Sequence, residues 1–122
     1  MAPAVLGRIV EVEHGIDEEG RRGIATESIV STGCIVSGSE VRRSILCPGV
    51  RIHSYCQVED SILLPNAPVN RHSRVRRAIV ARGVELPAGA LVGFNAAEDR
   101  RRHTVSEGGV VVVTPGEECF VE

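Results

Sequence analysis

The sequence predicts an all-β fold, a parallel β-helix of about four coils, from three observations. Aliphatic residues recur in columns with a period of seventeen residues. Three such columns fall within each period, separated by five, six and six residues, so each coil should have three short sides. The chain of 122 residues is 43% hydrophobic but only 2% aromatic, which indicates a narrow core of Val, Ile and Leu. An amphipathic helix would need apolar residues three and four apart, and these columns lack that spacing.

Each column predicts inward-facing residues that stack from one coil to the next. The columns are Val41, Val58, Val75 and Val92; Ile35, Ile52, Val69 and Leu86; and Val30, Cys47, Leu64 and Ala81. Because side chains alternate along a strand, the residues two positions earlier are also expected to face inward. These are Gly33, Val50, Ala67 and Val84; Ser39, Cys56, Ser73 and Ala90; and Ser28, Ile45, Ile62 and Ile79. The pattern matches the hexapeptide β-helix repeat.

Charged pairs at equivalent places in successive coils support the same stacking. Residues 42–43 are Arg-Arg, residues 59–60 are Glu-Asp, and residues 76–77 are Arg-Arg, each pair seventeen positions after the last. Stacking would place opposite charges across neighbouring strands. Exposed ion pairs stabilise weakly, so we expect these ladders to act mainly on strand register.

The chain divides into three predicted segments. Residues 1–27 leave the period and form an N-terminal strand, cap or linker, with alternating Val10, Val12 and Ile16 followed by a turn at residues 17–20. Residues 28–94 form the β-helix. Residues 95–122 form a helical turn, a strand over residues 110–113 and a tail.

Composition excludes several classes of function. The net charge of −2 and pI near 6.1 argue against a nucleic-acid partner. All fourteen basic residues are Arg, which excludes Schiff-base and P-loop lysine chemistry. The four cysteines have neither CxxC nor zinc-site spacing, so free buried thiols and no metal site are expected. Without a signal peptide or a long apolar run, we expect a cytoplasmic protein with no membrane partner.

Two segments carry a resemblance to a known family. Residues 31–39 (STGCIVSGS) precede Val41 and residues 44–46 (SIL), and residues 95–102 (NAAEDRRR) precede residues 105–113 (VSEGGVVVV). Together they resemble the C-terminal domain of bacterial glucose-1-phosphate adenylyltransferase, over about residues 20–114. The resemblance implies a left-handed β-helix that packs on a catalytic nucleotidyltransferase domain, builds a homo-oligomer and contributes to binding a sugar-phosphate effector.

The whole family enzyme makes ADP-glucose from ATP and glucose 1-phosphate with Mg²⁺, for glycogen or starch synthesis. Its chemistry belongs to an N-terminal domain with a Gly-rich loop and lysines that this sequence lacks. The resemblance therefore implies no catalytic residue, no cofactor and no enzymatic activity in this chain on its own, since ATP and Mg²⁺ belong to the catalytic domain.

One effector arginine of the family falls on Arg82 of this sequence. Arg82 follows Ala81 and is expected at a corner, in an outward column with Ser31, Pro48 and Pro65, where its guanidinium could bind a phosphate. Arg74 and Arg77 lie in the same acid-free stretch, residues 61–84, and are further effector candidates. Another effector arginine of some members falls near Pro115, which cannot make that contact. The residues before Gly23 also depart from the family pattern.

Two other functions remain open from the residues alone. Hexapeptide acyltransferases and metal-dependent hydratases place histidines at subunit clefts, and the candidates here are His14, His53, His72 and His103. His53 and His72 are nineteen residues apart, so they should not stack in one column. The other alternative is a scaffold that assembles through its open coil ends or faces and binds no ligand.

Overall fold

A computed structural model describes residues 8–16 and 22–121 of the chain. The predicted turn at residues 17–20 lies outside these residues. The strands are β1 (Arg8–Ile16), β2 (Arg22–Val30), β3 (Ile35–Val36), β4 (Glu40–Arg42), β5 (Ile45–Leu46), β6 (Arg51–Ile52), β7 (Gln57–Glu59), β8 (Ile62–Leu63), β9 (Pro68–Val69), β10 (Arg74–Arg76), β11 (Ala78–Val80), β12 (Ala90–Val92), β13 (Thr104–Val105), β14 (Val111–Val113) and β15 (Phe120–Val121). The one described helix is α1 (Ala96–Arg102), at the predicted place.

The short strands lie on three faces of a solenoid and pair in parallel from coil to coil. The first face contains β4, β7, β10 and β12. The second face contains β5, β8, β11 and β14. The third face contains β3, β6 and β9. This is the predicted mostly-β hexapeptide solenoid; its left-handed winding, implied by the resemblance, stays a prediction.

One column of the predicted core is confirmed in full. Val41, Val58, Val75 and Val92 are each 0% exposed, and each pairs with the next across the first face. The smaller residues two positions before them, Ser39, Cys56, Ser73 and Ala90, are buried as well. Small inward residues beside Val suit the narrow interior of a three-sided solenoid.

The predicted column on the second face is wrong by one residue. The buried residues are Leu46, Leu63 and Val80, each 0% exposed, whereas Cys47, Leu64 and Ala81 are only partly buried. Val30 was assigned correctly, and its partner is Leu46. The residues two positions earlier shift likewise, so Ser44, Ser61 and Ala78 face inward, and Ile45, Ile62 and Ile79 face outward.

A left-handed corner residue causes this shift. Arg43, Asp60 and Arg77 have φ of 48°, 48° and 50° and turn the chain between the first and second faces. One such residue interrupts the alternation of side chains, so the residue after the corner faces inward. The sequence period shows the spacing of the columns but does not show on which side of the corner the interruption falls.

The first coil is one residue shorter than the others. Val36, not Ile35, pairs with Ile52. Val36 is 0% exposed and Ile35 is 46% exposed, so the assignment of Ile35 to the core is wrong. Two residues, Ser37 and Gly38, make the turn that three residues make in the next coil. Gly33, also expected inside, instead forms a corner with φ of 79°.

Terminal strands cover both ends of the first and second faces. β1 pairs antiparallel with β2, and β2 pairs with β4 from Ile24, so the segment boundary predicted at residue 28 lies within β2. After α1, β13 and β14 form an antiparallel pair, and β14 adds a further rung to the second face beside β11. β15 pairs antiparallel with β12 on the first face. The terminal strands thus cover edges that an open coil would expose.

The predicted charged pairs stack in register, and ion pairs join the first two of the three rungs. The Arg76 and Arg77 guanidiniums donate instead to the carbonyls of Gly93 and Gly108. The Arg42 guanidinium lies 2.6 Å from the Glu59 carboxylate, and Arg43 Nε lies 2.7 Å from Asp60 Oδ1. Buried serines reinforce the same corner from inside. The Ser44 hydroxyl donates to the carbonyl of Arg42 at 2.8 Å and accepts the N–H of Ser61 at 3.1 Å. The coil that contains Arg42 is therefore tied to the coil that contains Glu59 by polar bonds on both sides of the backbone.

Candidate functional site

Arg82 lies at the corner between the second and third faces, as predicted. The next residue, Gly83, has φ of 72°, and its N–H donates to the carbonyl of Pro65 at 3.0 Å. The corner column above Arg82 is Pro65, Pro48 and Thr32; Ser31, expected there, lies one residue away because of the short first coil. An added Cβ at Gly83 would meet no heavy atom within 4 Å, so the space beside Arg82 is open.

The Arg82 guanidinium is available to a ligand. Its residue is exposed, and within the described part of the chain it makes no side-chain hydrogen bond or ion pair. Five donors in a planar fork match two oxygens of a phosphate. The corner therefore presents a free anion-binding group in an uncrowded position.

The other two effector candidates lie elsewhere on the solenoid. Arg74 is exposed on β10, in register with Gln57 and Leu91 of the first face. Arg77 is exposed at the first corner, and its guanidinium donates to the carbonyl of Gly108. The whole of β11 separates Arg77 from Arg82, so the structure does not gather the three arginines at one point.

A notch that the sequence analysis did not single out lies beside α1. It has a volume of about 190 Å³ and is lined by Arg76, Phe94, Asp99, Arg100 and backbone of the glycine turns. The Arg76 guanidinium lies 4.4 Å from the centre of the Phe94 ring and donates to the carbonyl of Gly93 at 3.1 Å. The feature of the sequence that could have pointed to this notch is Phe94, one of only two phenylalanines in the chain.

Buried polar groups hold α1 against the coils. The Asn95 side chain caps the helix by accepting the N–H of Glu98 at 3.2 Å. Asp99 is 3% exposed and accepts the N–H of Gly93 at 3.1 Å. Burial raises the pKa of the Asp99 carboxyl above its ordinary value, although the bond from Gly93 partly opposes this. Asp99 thus ties the helix to the end of β12.

His103 is the buried histidine of the described chain. Its Nδ1 lies 2.8 Å from Glu117 Oε1, while Nε2 is buried without a hydrogen-bond partner. Burial is the largest single influence on Glu117 and raises its pKa. The bonds from the Thr114 N–H and from His103 together outweigh it and hold the pKa below its ordinary value. This pair fastens the C-terminal tail under α1.

The remaining histidines and the cysteines do not converge on one centre. His53 is exposed, and His72 stacks on Tyr55 with ring centres 4.7 Å apart. The side chain of His14 lies outside the described residues. All four cysteines are free thiols, and burial raises the pKa of each. Within residues 8–16 and 22–121, no three His, Cys, Asp or Glu side chains are grouped as metal ligands.

No helix in the described residues is long and apolar enough to cross a membrane.

Comparison with known proteins identifies the family. The model of the GlmU-like C-terminal hexapeptide family matches residues 11–113. The chain is 57% identical over 98 residues to a glucose-1-phosphate adenylyltransferase of Albidiferax ferrireducens, covering 80% of this chain and 23% of the relative. It is 51% identical over 102 residues to the same enzyme of Geobacter metallireducens, covering 83% and 25%. The relative in Anaeromyxobacter sp. is 52% identical over 95 residues, covering 78% and 23%.

These relatives carry a catalytic activity in their names, and the chain spans about a quarter of their length. The matched part contains the hexapeptide solenoid, and the family model covers every coil of it. The chain therefore belongs to the GlmU-like C-terminal hexapeptide family, and its solenoid is similar to the C-terminal β-helix domain of glucose-1-phosphate adenylyltransferases.

Proposed function

We propose that this chain is a regulatory and assembly domain of a glucose-1-phosphate adenylyltransferase. It binds a sugar-phosphate effector, contributes to a homo-oligomer and transfers no nucleotide by itself. ATP and Mg²⁺ then act at a separate catalytic domain that the solenoid supports. The similarity to relatives of that name, limited to about a quarter of their length, supports this division of roles.

The exposed guanidinium of Arg82 is the observation that carries the effector role. Its donors have no partner among the described residues, and the adjacent Gly83 leaves open space beside it. Arg43, by comparison, is held by Asp60, and Arg102 by Glu98, each through a hydrogen bond of 2.7 or 2.8 Å. A free arginine at a corner of a rigid solenoid binds a phosphate without first breaking an ion pair.

Thermal unfolding in the presence of sugar phosphates tests the effector role. Fructose 1,6-bisphosphate and fructose 6-phosphate should raise the Tm, because a ligand that binds only the folded state stabilises it by mass action. Arg82→Ala should weaken binding roughly tenfold or more, since a charged hydrogen bond contributes about 1.5–3 kcal/mol. Arg51→Ala is the matched control, an exposed arginine on the third face.

Two results would contradict the proposal. If no sugar phosphate raises the Tm, the chain does not bind such an effector. If the purified chain forms ADP-glucose from ATP and glucose 1-phosphate in the presence of Mg²⁺, it transfers nucleotide by itself and the proposal is wrong. Arg82→Lys adds a check on mechanism, because lysine keeps the charge but loses the planar fork.

A further inference from the structure

A continuous aliphatic column runs down the outside of the second face. Its members pair in register from coil to coil and form what we call the aliphatic ladder: Ile29, Ile45, Ile62, Ile79 and Val112. Ile45 is 37% exposed, and the others are partly exposed. Five rungs at a strand spacing of about 4.8 Å span roughly 19 Å. Single exposed isoleucines are ordinary, but a stacked row of five is not.

The positions that follow the ladder along each strand are uncharged. Two residues further along each strand, side chains point to the same face, and these positions hold Ser31, Cys47, Leu64, Ala81 and Thr114. The equivalent outward positions of the first face include Glu40, Arg42, Glu59, Arg74 and Arg76, and those of the third face include Arg51 and Glu85. One face of three thus carries no charge between its two corners, which is typical of a protein interface.

Charges along one border of this face alternate in sign. The corner between the first and second faces carries Glu27, Arg43, Asp60 and Arg77 in successive coils. If a second copy packs against the face with its coil order reversed, Glu27 lies opposite the partner's Arg77 and Arg43 opposite the partner's Asp60. All four charges then meet an opposite charge, and the ladder packs on itself, with Ile45 opposite the partner's Ile62.

The other two-fold arrangement is poorer. A copy with its coil order preserved would bring this charged border against the opposite corner, which carries Thr32, Pro48, Pro65 and Arg82. Arg77 would then lie level with the partner's Arg82, a like charge, and the other three charges would face uncharged residues across the interface. Complementary charges at a rim select one orientation more than they add affinity. The charge order therefore favours the reversed packing.

We propose that the aliphatic ladder is a two-fold interface between copies of this chain, packed with reversed coil order. The inference rests on the assembly role proposed above and names the face and the orientation. Binding of sugar phosphate is a separate readout, so the interface can fail while the effector role stands.

Sedimentation of the purified chain tests the face. The wild type should form dimers, or a larger even-numbered assembly, and Ile45→Glu should raise the dissociation constant at least tenfold because it buries a charge at the centre of the interface. Arg51→Glu, at an exposed outward position in the same coil, is the matched control and should not change it. Circular dichroism of both variants reports retention of the fold. A wild type that stays monomeric at millimolar concentration, or equal effects of the two substitutions, would overturn the inference and assign the face to another partner.

Mixing two charge variants tests the orientation. Arg43→Glu and Asp60→Arg each place like charges opposite one another in the reversed dimer, so each alone should associate more weakly than the wild type. Mixed together, they restore both opposite-charge pairs, and the heterodimer should form preferentially. Both substitutions suit this corner, since Glu27 and Arg77 already hold its left-handed backbone. A mixture that associates no better than its components would exclude the reversed packing.

Discussion

Arg43 and Asp60 occupy the same left-handed corner in successive coils, both with φ of 48°, and Arg43 Nε donates to Asp60 Oδ1 at 2.7 Å. A β-helix stacks like positions on like, so a corner residue always has the corner residues of the neighbouring coils as its neighbours. Because the sign of the charge alternates along the column, neighbouring corner residues attract each other. A register that skipped one coil would instead place Arg43 against Arg77.

The Arg43–Asp60 pair should make stability depend weakly on pH. The hydrogen bond from Arg43 lowers the pKa of Asp60 below its ordinary 3.8. A lowered carboxyl pKa contributes stability that is present above pH 3.8 and is lost as pH falls through the folded-state pKa. Arg43→Gln should raise the Asp60 pKa in an NMR titration and lower stability slightly at neutral pH, with the difference vanishing in strong acid. An Asp60 pKa unchanged by the substitution would contradict this account.

The register of the second face can be tested with adjacent leucines. Leu63 is 0% exposed, so Leu63→Ala should lower the free energy of unfolding by about 2–5 kcal/mol. Leu64 faces outward and is half-buried, so Leu64→Ala should cost about 1 kcal/mol or less. Urea unfolding at equal, low micromolar protein concentration measures both. The reverse order of effects would favour the column originally predicted from the sequence.

The serine ladder should be as important as an apolar core position. The Ser61 hydroxyl accepts the N–H of Ala78 at 3.2 Å and donates to the carbonyl of Glu59 at 2.7 Å, and the residue is 3% exposed. Ser61→Ala leaves a buried backbone N–H without a partner, which costs about 1–3 kcal/mol. The Ser106 hydroxyl accepts the N–H of Val110 at 3.0 Å in an exposed turn, where water can replace it, so Ser106→Ala should change stability by less than about 0.5 kcal/mol. Similar losses from both would show that water replaces the buried bond.

Two glycines with left-handed backbone should differ in their tolerance of a side chain. At Gly93, with φ of 90°, an added Cβ would lie 1.9 Å from the carbonyl oxygen of Arg76, a backbone atom that cannot move aside. At Gly83, with φ of 72°, it would meet nothing within 4 Å. Gly83→Ala should therefore cost only the conformational term of about 1–2 kcal/mol. Gly93→Ala adds a clash to a similar strain and should lower the Tm more.

Features that recur in every coil could be predicted from the sequence. The period of seventeen residues, the Val41 column and the charge ladders follow from residue type alone, because stacking repeats the same environment in each coil. The helical turn after residue 95 was also predicted, whereas the capping role of Asn95 emerged only from the structure. For the candidate site, the corner position of Arg82 was predictable, and its lack of an internal partner was not.

The seventeen-residue repeat is sufficient to predict that short parallel strands stack into a three-sided solenoid, because a strict repeat of small and aliphatic residues has few other ways to bury itself. Which aliphatic residues point inward on the second face depends on the folded backbone. Ile45 and Leu46, or Ile62 and Leu63, are equally apolar, and a single left-handed residue at the corner chooses between them. The same choice moves the ladder of isoleucines to the outside, where it becomes a surface instead of a core.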